Sequence, residues 1–156
     1  MSMNINYSHK SLSKTDTEDS TGNRFRLSIA KKIFNKVSAE PIVPIDDIVG
    51  RKGLNHNLYC GLYFLYSNRR KIIYIGQIRY GSKSSLRKRL LQHRRKKPWF
   101  KHVKFVRFHK FPSVGEAKLD IAERLSIMVA GQPIFNDKDT SIRRLTEFDW
   151  GDLMLS

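Results

Sequence analysis

Apolar residues along the chain change their period, and the change divides it. From Asn23 to Ser38, Phe25, Ile29, Ile33, Phe34 and Val37 recur at helical spacing with basic residues between them, which predicts an amphipathic helix. Such a helix either docks on the rest of the protein or serves as an arm that contacts DNA or a partner. Residues 1–22 are rich in Ser, Thr, Asn and Lys without periodicity and read as a flexible tail. Ala39 to Ile45, with Pro41 and Pro44, reads as a linker or an edge strand, so that residues 23–57 form a helical arm and linker.

From Leu58 the period shortens to two. Leu58 to Tyr66 and Lys71 to Ile78 are rich in aromatic and β-branched residues around the polar Ser67-Asn68-Arg69-Arg70, the pattern of a β-hairpin. Ser84 to Lys97 follows as a basic helix ended by Pro98, and Val103 to Phe111 as a third strand. Ser113 with Glu116 three residues later is the capping box of a last helix running to Ala130, closed by Gly131 and Pro133. The order β-β-α-β-α over residues 58–137 predicts a small α/β sandwich, a mostly antiparallel sheet with helices packed on it. Residues 138–156 are a C-terminal extension.

A symmetric turn centred between Asn68 and Arg69 pairs Tyr63 with Tyr74 and Gly61 with Gly76. These four residues then share one face, and Leu62, Phe64, Ile73 and Ile75 the other, core-facing one. Two phenols beside two missing side chains make a shallow notch that another backbone could approach; equally, the tyrosines are ordinary strand residues and the glycines mark a bulge. In the basic helix, Arg89 and His93 lie four apart on the face shared by Leu86 and Leu90. An arginine beside a buried stripe is costly unless it meets an anion, and its planar fork suits phosphate oxygens. Arg87, Lys88, Arg94, Arg95, Lys96 and Lys97 are expected to face solvent as general phosphate contacts.

The last helix places Glu123 in an apolar strip between Leu119 and Ile127, away from the outer Asp120 and Arg124. A carboxylate there needs a partner, either a hard divalent cation or a lysine or arginine. Asn136 follows the turn after Gly131, where it bridges turn backbone or orients water.

Charge narrows the partner. Ile48 to Gly115 holds eighteen Lys or Arg and no Asp or Glu, within a formal net charge of +16. A strip this lopsided repels itself and fits a polyanion, nucleic acid above all. With 40% apolar and 11% aromatic residues the chain can build a real core, and no apolar run is long enough to anchor in a membrane. The single cysteine, Cys60, excludes a disulfide framework and a Cys-rich zinc site, and reads as a small core residue. No secretory signal is visible in the first twenty residues, so an intracellular, cytoplasmic setting is expected.

Gly61-Leu62-Tyr63, eleven positions to Tyr74-Ile75-Gly76, then Arg89 with His93, then Glu123 and finally Asn136 resemble the signature of the GIY-YIG nucleases, in order and at typical spacing. The resemblance spans about half the chain. Leu62 replaces the usual Ile, and Gln77 stands where many members carry a basic or small residue. The resemblance implies a divalent-metal-dependent endonuclease that hydrolyses DNA phosphodiester bonds. Glu123 would hold one Mg²⁺ or Mn²⁺, and Arg89 would stabilise the pentavalent transition state. Tyr63, helped by His93, would activate or position the attacking water. Tyr74 would bond the phosphate or water network, Asn136 would orient the Glu123 region, and Gly61 and Gly76 would let the substrate approach. Because a tyrosine ordinarily titrates near pH ~10, a phenolate base requires the surrounding cations.

The twenty residues after Asn136 are too few for an appended DNA-binding region. The expectation is therefore a compact restriction-like, phage or mobile-element nuclease on double-stranded DNA, with a homodimer or protein partner as a source of specificity. The rivals are a non-catalytic nucleic-acid binder using the basic strip, and an RNA-cleaving nuclease or toxin of the same chemistry.

Overall fold

The computed structural model describes residues 12–51, 60–79, 85–111 and 115–136. It is an α/β protein built on a four-stranded antiparallel open sheet with the spatial order β1-β4-β2-β3. The strands are β1 (Val43–Pro44), β2 (Gly61–Tyr66), β3 (Ile72–Ile78) and β4 (Phe105–Lys110). The helices are α1 (Leu12–Ser38), the single turn α2 (Asp46–Val49), α3 (Leu86–Lys96) and α4 (Glu116–Val129), with a 3₁₀ segment at Pro98–His102.

The sheet is covered on both faces. Leu62, Phe64, Tyr66 and Ile75 pack with Ile29, Ile33 and Val37 of α1 and with Leu119, Ala122 and Leu125 of α4. Tyr63, Leu65, Ile73 and Ile78 pack on the other side with Ile48 and Val49, Leu86 and Leu90, and Phe100. Cys60 is a small buried member of the first cluster, as expected.

Several boundaries differ from the sequence reading. α1 begins at Leu12, so residues 12–22 of the expected tail are helical; a helix nucleated on packed residues propagates at little further cost. Its buried residues, among those described, are Ile29, Ala30, Ile33 and Val37, and Phe25 is exposed. Pro44 sits in a two-residue edge strand paired with Phe105, a position that tolerates its missing N–H. α3 is capped by Ser85, whose Oγ accepts the Lys88 N–H, and it ends before Pro98. The expected cap Ser113 lies outside the described residues, and Gly115 is the N-cap of α4 with no side-chain hydrogen bond.

The hairpin register is the informative difference. Ser67 N–H donates to Lys71 O and Arg70 N–H to Ser67 O, with Arg70 at φ 58°, so the loop has three residues and is centred on Arg69 instead of between Asn68 and Arg69. A bulge between Leu65 and Tyr66 adds a second displacement. Tyr63 therefore faces Gly76, Leu65 faces Tyr74, and Gly61 faces Ile78. Two single-residue shifts restore the alternation beyond the bulge, so Tyr63 and Tyr74 still share the expected face. Between the two shifts the faces exchange: Ile72 joins the α1/α4 side and Ile73 the α3 side.

Candidate active site

β3 is an edge strand of the sheet. Tyr63 reaches this edge from β2 by lying across Gly76, where an added Cβ would overlap the ring and hydroxyl. The glycine is therefore filled by the phenol and leaves no notch for another backbone. Tyr63 itself has no exposed surface.

The Tyr63 hydroxyl is 2.8 Å from His93 Nε2, a bond between β2 and α3. Leu86, Leu90 and His93 are the buried residues of α3, so the helical stripe delivers the imidazole to the sheet. Tyr74 packs edge-on to His93 at 5.2 Å between ring centroids and lies 6.2 Å from the Tyr63 ring.

Electrostatics decide the resting protonation. Burial pushes the Tyr63 phenol well above the usual tyrosine range, and Tyr74 adds to that push. Arg89 pulls it down by charge and by hydrogen bonding, and Glu123 adds a smaller push upward. The expectation that surrounding cations would favour a phenolate is thus corrected: desolvation outweighs the one guanidinium in contact. Burial, with the cations Arg89 and Lys97, lowers His93 to about 4. A protonated phenol then faces a neutral imidazole, the pairing in which the O–H donates to Nε2.

Arg89 donates through Nη1 to Gln92 Oε1 at 3.2 Å, while its buried Nε has no hydrogen-bond partner. Glu123 is 3% exposed and accepts from Gln77 Nε2 at 2.5 Å. The same amide group donates to Asp120 Oδ1 at 3.1 Å, and Asp120 in turn pairs with Arg124 at 2.9 Å. Gln77, noted in the sequence as a departure from the family pattern, is a residue to which sequence reasoning gave no role. Its signal is a polar side chain on the strand face that otherwise carries Ile75, Leu62 and Phe64.

Other expected residues sit elsewhere. Asn136 is bound at both ends of its amide to Ile75, Nδ2 to the carbonyl at 2.9 Å and Oδ1 from the N–H at 2.8 Å. It acts as a short extra strand partner holding the Tyr74–Gly76 segment. Arg87 donates to the carbonyls of Ile48 and Gly50, so it ties α3 to the end of α2 and does not point freely to solvent. Arg94 makes a long 3.5 Å approach to Val49 O but remains exposed, as do Lys88, Arg95, Lys96 and Lys97. Gly61 is buried at the start of β2, paired with Ile78 and Lys110.

The chain was compared with family models, curated proteins and solved structures. It matches none of them. Among the described residues no three His, Cys, Asp or Glu gather in one place. The donors at the β3 edge are instead the Glu123 carboxylate and Gln77 Oε1, a buried amide oxygen with no hydrogen-bond partner. Both are hard oxygens. They suit Mg²⁺ or Mn²⁺, which takes few protein ligands and fills its shell with water and phosphate oxygen.

Proposed function

We propose that the chain is a metal-dependent endonuclease of the GIY-YIG type that hydrolyses DNA phosphodiester bonds. One observation carries the reading. Arg89 and His93 of α3 and Glu123 of α4 all act on the single phenol of Tyr63 in β2, by hydrogen bond or by charge. Residues this far apart in sequence and this expensive to bury seldom meet without a task.

In that reading Arg89 grips the phosphate, its unpartnered Nε supplying a donor for a phosphoryl oxygen. His93, neutral near pH ~7, holds the Tyr63 proton and can accept one from water or phenol. Tyr74, half-buried beside both, orients the phosphate or water network. Glu123 and Gln77 would hold the cation, which when bound neutralises phosphate charge and promotes the leaving oxygen. Exposed Lys88, Arg95, Lys96 and Lys97 bind the flanking backbone.

A non-catalytic DNA binder is favoured by one fact, the complete burial of Tyr63, which keeps its hydroxyl from solvent. Supercoiled plasmid with Mg²⁺ or Mn²⁺ separates the two. Nicked or linear products, lost with chelator and in Glu123→Ala, support the enzyme. Retained binding with no scission under any divalent ion supports the binder.

A further inference from the structure

A line of rings runs from the candidate active site to the surface. Tyr74 stacks on Trp99 at 4.9 Å, Trp99 on Phe135 at 5.2 Å with 8° between planes, and Phe135 on His102 at 6.2 Å with 13°. Trp99 and Phe135 are half-buried, whereas His102 is exposed. One face of its imidazole is thus turned to Phe135 while the side chain remains open to solvent. At that end lies a pocket of about 420 Å³ lined, among the described residues, by Ser67, Asn68, Arg69, Lys101, His102 and Lys104, none of them a carboxylate. Lys101 and Lys104 also line an adjoining depression of about 400 Å³ with Arg94, Lys97 and one carboxylate, Asp46. A basic rim therefore continues from the end of α3 to the hairpin turn. Cationic side chains around an aromatic platform are the combination by which proteins hold single strands, since every base has a face to stack and every linkage a charge.

We propose that this pocket is a second nucleic-acid subsite, which takes an unpaired nucleotide of DNA. The phosphate sits among Arg69, Lys101 and Lys104, and the base lies on the open face of His102, extending the ring column by one member. The proposal rests on the nuclease reading for the choice of DNA, and it would place a frayed or single-stranded segment a short way from the scissile bond.

The test is fluorescence anisotropy with a short labelled thymidine oligonucleotide and a duplex of equal length, in chelator so that no scission occurs. His102→Ala should weaken single-strand binding about tenfold, in the range of one lost base stack, with duplex binding changed about twofold or less. His102→Phe should restore most of the loss. Lys101→Glu with Lys104→Glu should weaken single-strand binding further and reduce its salt slope by roughly 0.7 for each phosphate contact removed. Equal losses for single strand and duplex, or no loss on His102→Ala, would overturn the subsite. So would a failure of phenylalanine to rescue. Because binding is read without metal, an inactive protein with His102-dependent single-strand binding removes the nuclease reading and keeps the subsite. An active protein whose binding ignores His102 does the reverse.

Discussion

The ring of Tyr63 occupies the space that a side chain at position 76 would need, so Gly76 is the reason the phenol can reach the edge of the sheet. Gly76→Ala should destabilise the fold by about 1–3 kcal/mol through overpacking. Urea unfolding of Gly76→Ala, Tyr63→Leu and the double variant measures the coupling. The double variant should lose clearly less than the sum of the singles. Additive losses would mean that the two positions do not share that space.

His93 makes stability depend on pH in a stated direction. Its folded value, about 4, lies below the unfolded value of 6.5, so between the two the unfolded chain binds more protons. The contribution is intact above pH 6.5 and is lost as pH falls towards about 4. The urea midpoint should therefore climb with pH across this window, and His93→Gln should flatten the climb. An unchanged slope in the variant would assign the dependence to other groups.

Gln77 Nε2 donates to two carboxylates of α4, Asp120 and Glu123. Gln77→Leu removes that donor and leaves buried oxygen without it, an expected loss of about 1–3 kcal/mol. Added Mn²⁺ should raise the melting temperature of the natural protein and do so less in Gln77→Leu and in Glu123→Ala. Equal metal-induced shifts in all three proteins would remove Gln77 and Glu123 from the cation site.

Arg87 and Arg95 are both arginines of α3, yet they should respond oppositely. Arg87 holds the Ile48 and Gly50 carbonyls, so Arg87→Ala should cost about 1–3 kcal/mol of stability. It should leave the salt dependence of DNA binding nearly unchanged. Arg95→Ala should be silent in unfolding and should lower the salt slope by about 0.9. A reversal would mean that Arg87 leaves α2 to contact DNA.

Much of this was legible before any coordinates. Period-two segments marked β2 and β3, and the Leu86/Leu90/His93 stripe correctly named the buried side of α3. The register was not legible, because it depends on Arg70 adopting positive φ and on a bulge at Leu65/Tyr66. Neither has a turn glycine to announce it. The fate of Arg87 was hidden for another reason: its partners are main-chain carbonyls of a segment some forty residues away, and carbonyls carry no sequence identity. Tyr63's protonation was misjudged because charge can be counted along a chain, whereas desolvation appears only once the phenol is packed.

The segment ending at Asn136 has a consequence for association. Phe135 N–H donates to Ile73 O, and Asn136 takes both main-chain groups of Ile75, so part of the outer rim of β3 is already occupied. The opposite rim is the two-residue β1, which includes Pro44. Among the described residues neither margin offers a long ladder to a neighbouring copy, and such shortened rims are how sheets escape runaway polymerisation.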